Sequence, residues 1–115
     1  MPYFSIQTNR SVDPATLKGL VVKASAFAAD LVGKPEAYVM TAIKPDVCMT
    51  FAGSDGPAAF IQLKSIGLAE SQCGPFAEAI SRFVQANLGI EPDRVFIDLT
   101  DLPRARFAWN GKTFG

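Results

Sequence analysis

The chain contains the same order of patterns twice: an alternating apolar strand, an amphipathic helix, a glycine followed closely by a proline, and a second strand. The glycine and proline are Gly33 and Pro35 in the first half, and Gly89 and Pro92 in the second. Glycine ends a helix by adopting a left-handed conformation, and proline prevents the helix from resuming. This order predicts a duplicated β-α-β unit and restricts the chain to folds that pair two such units.

In the first half, the helix has signals at both ends. Asp13 suits the N-cap, and Pro14 suits the first turn. Apolar residues then recur at spacings of three and four up to Leu31, which is typical of an amphipathic helix. The predicted strands of this half cover residues 2–9 and 37–43, with a further short strand over residues 48–52.

In the second half, Gly74 and Pro75 are expected to open a helix that ends at Leu88. The tail carries Asn110-Gly111 between aromatic residues, which is the strongest short signal for a β-hairpin. The predicted strands of this half cover residues 58–66 and 94–99.

The connections define the expected architecture. A strand–helix–strand crossover favours a parallel pair of strands with a right-handed connection. Two such units side by side predict one domain over residues 1–115 with a two-layer α+β fold, in which a four-stranded mixed sheet carries both helices on one face. No further helix is left for the opposite face, so a neighbouring subunit is expected to cover it.

The composition favours an oligomer. Hydrophobic residues make up 49% of the chain, which is high for a small soluble domain, and charged residues make up 19%, which is low. A chain of 115 residues has much surface for its volume. Part of the apolar content is therefore expected at a subunit interface.

Charge and hydropathy narrow the classes of partner. Lys plus Arg and Asp plus Glu both number 11, so the formal net charge is zero. Nucleic-acid binding is not expected, because it normally needs a basic patch and the only cationic cluster, Arg104 and Arg106, is flanked by Asp98 and Asp101. No apolar run approaches the ~18 residues of a membrane span, and no signal-peptide pattern is present. The expected location is the cytoplasm.

The sequence contains no histidine, and this restricts the possible catalytic chemistry more than any other feature of the composition. It excludes Ser-His-Asp and Cys-His catalysis and the histidine-based zinc motifs. Acid–base chemistry near neutral pH then needs a carboxylate, a lysine, a cysteine or the N-terminal amine. Cys48 and Cys73 lack CxxC spacing and are expected to be buried or half-buried thiols without a disulfide.

Proline at position 2 permits two interpretations. As the first residue of a strand, Pro2 is tolerated although it has no N–H to donate. Alternatively, Met1 is removed, as is usual before a small residue, and Pro2 becomes an N-terminus with a free secondary amine. An amine can act as a base or a nucleophile, whereas an amide nitrogen cannot.

Five motifs occur in order along the whole chain: MPYF at the start, GKP after the first helix, SIG after the third long strand, PDRVFID at the last strand, and WNGKTF near the end. Together they resemble the macrophage migration inhibitory factor family of the tautomerase superfamily. The resemblance implies a homotrimer whose sheets face a central channel. It also implies keto–enol tautomerisation of phenylpyruvate-like aromatic keto acids and of dopachrome-type compounds, with no cofactor or metal and with Pro2 as the catalytic base.

The resemblance further implies a substrate pocket around Pro2. Lys34 would hold the substrate carboxylate and help to keep the Pro2 amine neutral. Ser65 and Ile66 would line the pocket floor. The implied walls, some of them supplied by a neighbouring subunit, are Tyr38, Lys64, Phe96, Asp98, Phe107, Trp109 and Phe114.

Three of these residues depart from the usual family pattern. Phe96 stands where animal members usually carry tyrosine, Asp98 where they carry asparagine, and Lys64 where a histidine is common. Loss of the phenol removes a hydrogen-bond donor. Asp98 would repel a carboxylate substrate and favour the ammonium form of Pro2, unless it faces away or Lys64 offsets it. Weaker turnover or a shifted substrate range is therefore expected.

Two other functions stay open on the sequence. A signalling trimer would bind a protein receptor through its surface and keep only weak or vestigial catalysis. The family can be exported without a signal peptide, so non-classical secretion stays open with it. A scaffold without a ligand is the third reading, although it would have little use for Lys34 in a pocket. The natural substrate is not defined by these residues.

Overall fold

A computed structural model describes all 115 residues of the chain. The chain forms two long helices and four main strands in the order strand, helix, strand, repeated once, and a small hairpin ends the chain. The helices are α1 (Pro14–Val32) and α2 (Glu70–Leu88), and the strands are β1 (Tyr3–Thr8), β2 (Met40–Lys44), β3 (Ala59–Ser65), β4 (Val95–Asp101), β5 (Ala108–Trp109) and β6 (Lys112–Thr113). Neither helix combines the length and apolar character needed to cross a membrane.

The main sheet confirms the predicted duplication. Its strand order is β2-β1-β3-β4. Strand β1 is parallel to β2, and β3 is parallel to β4, so each helix connects a parallel pair. The two halves meet through the antiparallel pairing of β1 with β3, which makes the sheet mixed.

The hydrophobic core lies between the helices and one face of the sheet. Phe4 on β1 and Ile61 on β3 are fully buried, in one cluster with Ala24 of α1 and Ile80 of α2. Phe4 also packs against Phe27 and Phe83, whose rings stack on each other at 4.3 Å between centroids. Because both helices pack on the same face, the predicted two-layer arrangement is confirmed.

The opposite face of the sheet is open. Alternate residues of every strand point to it, and two of them are large and apolar: Met40 is 68% exposed and Phe96 is 65% exposed. In the register of the sheet, a polar row crosses the middle of this face, formed by Ser5, Gln62 and Asp98. Large exposed apolar side chains on an otherwise uncovered face are typical of an interaction site.

Helix α2 begins earlier than the sequence predicts. It starts at Glu70, so the expectation that Gly74 and Pro75 open the helix is wrong. The backbone N–H of Ala69 donates to the Gln72 side-chain oxygen at 2.9 Å, and this contact stabilises the helix start. Pro75 lies inside the helix, where it removes only one backbone N–H donor near the N-terminus.

The short strand predicted over residues 48–52 is also wrong. This segment forms only one isolated bridge, between Phe51 and Ser54. Ala52 and Gly53 have φ values of 53° and 74°, which reverse the chain instead of extending it. Cys48 is exposed rather than buried or half-buried, whereas Cys73 is half-buried, and both are free thiols.

The remaining differences concern element ends. The second strand begins at Met40 rather than at residue 37, because Glu36–Tyr38 form a turn of 3₁₀-helix after Pro35. The terminal hairpin is confirmed. Asn110 and Gly111 have φ values of 53° and 76°, as a two-residue turn with left-handed conformation at both positions requires.

Candidate active site

Pro2 lies at the edge of the core, directly before β1. Its side chain is fully buried. Its carbonyl oxygen accepts a hydrogen bond from the N–H of Met40 at 3.0 Å, which continues the β1–β2 pairing by one residue. Pro2 is thus held by the sheet through its carbonyl oxygen, and its position just before the strand suits a residue that has no N–H to contribute.

A cavity of about 230 Å³ opens beside Pro2. The starts of β1 and β2 form one side, the end of β3 forms another, and the C-terminal hairpin closes the third. Its lining is mostly apolar and aromatic, with one cation. The lining residues are Met1, Pro2, Tyr3, Tyr38, Met40, Lys64, Phe107, Ala108 and Trp109.

Lys34 lies next to this cavity because α1 ends at Gly33, whose left-handed φ of 66° turns the chain out of the helix. The Lys34 Nζ donates to the Ser65 hydroxyl at 3.2 Å and to the Ile66 carbonyl oxygen at 2.7 Å. Both acceptors are neutral oxygens. The ammonium therefore keeps its positive charge uncompensated by these partners, and its remaining N–H donor faces the Met1 amine, with which it also forms a hydrogen bond.

The amine at the chain terminus is electrostatically perturbed. The pKa of the Met1 amine is lowered from 8.0 to about 6, first by burial and then by the nearby Lys34 ammonium and the Arg104 guanidinium. Both causes disfavour the ammonium form. An amine with this pKa is neutral at pH 7 and can accept a proton.

The structure brings several of the predicted site residues together. Tyr38, Lys64, Phe107 and Trp109 line the cavity beside Pro2. Lys34, Ser65 and Ile66 form the adjoining cluster just described. Phe114 lies behind the wall, where its ring stacks on Phe107 at 6.0 Å between centroids.

Phe96 and Asp98 do not lie beside Pro2 within one subunit. Phe96 pairs with Phe60, four residues along β3 from Lys64, which separates it from the cavity by about 13 Å. It lines a second apolar cavity of about 430 Å³ together with Phe51. Asp98 lies on the open sheet face and accepts a hydrogen bond from Thr100 at 2.6 Å. Only a neighbouring subunit can bring these residues to a Pro2 cavity.

Sequence reasoning did not place Arg104 at the site. Its Nε donates to the Phe114 carbonyl oxygen at 3.1 Å, so the C-terminal hairpin holds this cation close enough to affect the terminal amine. The available signal was the Arg104–Arg106 pair, the only cationic cluster in the chain. Met40 was also missed, and it lines the cavity as an exposed apolar side chain.

The site contains groups for proton transfer and for binding an anion. No group of His, Cys, Asp or Glu side chains is arranged to hold a metal ion. The duplicated β-α-β fold, the buried proline behind Met1, the apolar pocket and the adjacent lysine agree with what the resemblance to the tautomerase superfamily implies.

The chain belongs to the family described as macrophage migration inhibitory factor (MIF), whose profile matches residues 1–115. It is 38% identical over 119 residues to a macrophage migration inhibitory factor homolog of Brugia malayi, covering 100% of both chains. It is 36% identical over 117 residues to the macrophage migration inhibitory factor of Meriones unguiculatus, covering 99% of both. Family membership supports a tautomerase- or MIF-type function in general.

The fold agrees with solved structures of the family. The crystal structure of the homologue from Prochlorococcus marinus superposes with a TM-score of 0.91 at 37% identity, covering 98% of this chain and 99% of that one. The structure from Trichinella spiralis superposes with a TM-score of 0.89 at 30% identity, covering 97% and 99%. The resemblance stated from the motifs is thus confirmed.

Proposed function

We propose that the protein is a keto–enol tautomerase of small phenylpyruvate-type and dopachrome-type acids, with the Pro2 amine as its base after removal of Met1. The observation that carries the proposal is the Met1 amine, one residue before Pro2, whose pKa is lowered to about 6 by burial and by Lys34 beside an apolar cavity. Removal of Met1 transfers the amine to Pro2, which is itself fully buried. Burial and the same cations then act on a secondary amine.

The proposed reaction moves one proton. The neutral Pro2 amine takes a proton from the carbon beside the substrate carbonyl, and the resulting ammonium returns it to the carbonyl oxygen as the enol forms. The base must be neutral before the first step, and its pKa must lie near the working pH. The proline ring fixes the direction of the nitrogen lone pair, so the proton is transferred along one line.

Substrate binding is assigned to Lys34 and the aromatic walls. The hydrogen bonds of Lys34 to Ser65 and Ile66 go to neutral oxygens, so its positive charge is available to attract a substrate carboxylate. Tyr38, Phe107 and Trp109 provide apolar surface for an aromatic ring. An aromatic keto acid presents both features in one small molecule.

We also propose a homotrimer as the active form. The open sheet face, with Met40 and Phe96 more than half exposed, needs a cover. A neighbouring subunit would supply this cover, and it would also carry Phe96 and Asp98 to the Pro2 cavity. Phe96 lacks the phenol of a tyrosine, and Asp98 carries a negative charge that an asparagine would not. Lys64 pairs with Thr100 and not with Asp98 in the sheet. Turnover is therefore expected to be weaker than with tyrosine and asparagine at these positions, or directed to other acids.

Replacement of Pro2 tests the proposal. We expect Pro2→Gly to lower kcat/KM for phenylpyruvate enolisation by about 10²-fold, because general base catalysis contributes at least that much and the flexible glycine amine is poorly oriented. Pro45→Gly makes the same substitution in the loop after β2, outside the cavity, and should leave the rate unchanged. A Pro2→Gly protein with the activity of the unmodified chain would refute the assignment.

The names of the relatives favour a second candidate function. Several are called macrophage migration inhibitory factor, so a signalling role through a protein receptor, with export from the cytoplasm by a non-classical route, is the alternative. Signalling of this kind uses the outer surface and should survive Pro2→Gly. If Pro2→Gly abolished receptor binding together with catalysis, the same site would instead serve both functions.

A further inference from the structure

The position of Lys34 depends on the turn that follows β3. Its two hydrogen-bond acceptors are Ser65, the last residue of β3, and Ile66, the first residue of the turn. Ser65 is only 2% exposed, so its place is fixed by the core. Ile66 is only half-buried and precedes Gly67, which has a left-handed φ of 80°. The shorter of the two Lys34 contacts thus goes to the less constrained residue.

Asp101 fixes this turn from the neighbouring strand. Asp101 ends β4 and pairs in register with Ser65. One of its carboxylate oxygens, Oδ1, accepts hydrogen bonds from the N–H groups of both Gly67 and Leu68, each at 3.0 Å. The N–H of Leu102 donates to the Ser65 carbonyl oxygen at 2.9 Å and continues the pairing by one residue. The turn is therefore held at Ser65 on one side of Ile66 and at Gly67 and Leu68 on the other.

We propose that Asp101 is a positioning residue of the tautomerase site, which holds the Ile66 carbonyl oxygen in place and thereby keeps the Lys34 ammonium between the terminal amine and the substrate carboxylate. This inference rests on the proposed function for its catalytic meaning. Asp101 acts through the turn, since the hydrogen bonds of Lys34 go to Ser65 and Ile66 and not to a carboxylate.

Positioning and simple charge effects have opposite consequences. A loosened turn lets the Lys34 ammonium move away from the terminal amine, so the pKa of that amine rises toward its ordinary value near 8. Loss of a carboxylate charge alone would lower the same pKa, because a nearby anion favours the ammonium form. The other charged or titratable groups facing the amine are Arg104 and, along the cavity, Lys64, Tyr3 and Tyr38.

Two substitutions of Asp101 separate these effects. Asp101→Asn removes the charge but keeps a carbonyl oxygen where Oδ1 now accepts both hydrogen bonds, so the turn should stay fixed. Asp101→Ala removes the charge and the acceptor together. Asp93→Ala is the matched control, because Asp93 is an exposed carboxylate in the turn before β4, at the strand end opposite Asp101.

The test measures two properties. NMR titration of a chain with a ¹⁵N-labelled N-terminal residue gives the pKa of the terminal amine, and steady-state kinetics with phenylpyruvate give KM and kcat. Asp101→Ala should raise the amine pKa and raise KM about fivefold, as expected when a charge-assisted contact is weakened, with a smaller change in kcat. Asp93→Ala should resemble the unmodified chain, and Asp101→Asn should keep its KM and should not raise the amine pKa. Thermal unfolding identifies a variant that does not fold, in which case Asp101→Gln, with its oxygen displaced by one methylene, replaces Asp101→Ala.

The inference is overturned if Asp101→Ala and Asp101→Asn behave alike, or if Asp101→Ala leaves the amine pKa unchanged or lowers it. The titration does not require turnover. An unmodified chain without tautomerase activity would refute the proposed function, while a raised amine pKa in Asp101→Ala alone would still support the positioning role.

Discussion

At the residue scale, the site depends on a balance between one base and the cations around it. Burial and Lys34 both lower the pKa of the Met1 amine, Arg104 adds to the effect, and the Pro2 amine is expected to be shifted in the same direction once Met1 is removed. A base with a lowered pKa is weaker, but it is unprotonated at neutral pH. The catalytic cost of weaker basicity is offset because nearly every molecule carries the base in its reactive form.

The pH dependence of turnover follows from this balance. The Pro2 amine should share the downward pKa shift of the Met1 amine, because Lys34 and Arg104 remain beside it, so activity should rise with pH with a midpoint below 8.0. Lys34→Met removes the positive charge and keeps an apolar side chain of similar length, so the pKa of the amine and the midpoint of the pH–rate profile should rise. Less of the amine is then neutral at pH 6, so the loss of activity should be larger at pH 6 than at pH 8. Lys34→Met should also raise KM for a carboxylate substrate by roughly tenfold, as expected for loss of a charge-assisted hydrogen bond.

The control for this prediction is Lys18→Met, which removes an equal charge from the exposed surface of α1. Its pH–rate profile should match that of the unmodified chain. A Lys34→Met profile with an unchanged midpoint would show that Lys34 does not set the amine pKa.

The sequence predicted the residues whose roles follow from chemistry or from motifs. Pro2 was indicated by the lack of histidine, and Lys34 by the GKP motif. Arg104 and Asp101 were not predicted, because their contacts join distant segments. Arg104 is held by Phe114, and Asp101 holds the turn at Gly67. Spacing in the sequence carries no information on such long-range contacts.

At the element scale, glycine was a reliable guide where it ends a helix and a poor one where it lies inside. The N–H of Gly33 closes α1 by donating to the carbonyl oxygen of Asp30 at 3.3 Å. The sequence pattern predicts that Gly74 opens α2, yet Gly74 lies within the helix. The true start depends on the side chain of Gln72, which returns to the backbone of Ala69. A glutamine in this role is hard to distinguish from an ordinary surface residue.

Gly19 inside α1 and Gly33 directly after it should respond in opposite ways to substitution by alanine. A Cβ at either Gly19 or Gly33 would meet no atom within 4 Å, so packing does not distinguish them. Gly33 has a φ of 66°, and Gly33→Ala should destabilise the protein by about 1 kcal/mol. Gly19 has helical geometry, and Gly19→Ala should stabilise it by about 0.5–1 kcal/mol. Denaturant unfolding measures both changes, and equal effects of one sign would contradict the helix ends described here.

At the scale of the whole molecule, the two faces of the fold differ. The helices cover one face of the sheet and bury the core, whereas the other face exposes Met40 and Phe96. The element order was sufficient to predict this asymmetry, because two helices cannot cover both faces of a four-stranded sheet. The partner that covers the open face does not follow from the fold of one chain.

The proposed trimer can be tested with two equally exposed apolar residues. Phe96 is 65% exposed on the open sheet face, and Val22 is 67% exposed on α1. Light scattering coupled to size exclusion should give three times the chain mass of 12.3 kDa for the unmodified protein. Phe96→Arg should lower this mass, because an unpaired charge is costly at a buried interface, and Val22→Arg should not. A reduced mass for Val22→Arg alone would place the interface on the helices.

The central claim is that a free amine on Pro2 is the catalytic base, and blocking that amine tests it most directly. Inserting one alanine between Met1 and Pro2 turns the Pro2 nitrogen into an amide, and intact mass verifies the N-terminus of each chain. The chain that begins with Pro2 should enolise phenylpyruvate, and the chain with the inserted alanine should lose at least about 10²-fold in kcat/KM. Equal kcat/KM values for the two chains would contradict the account.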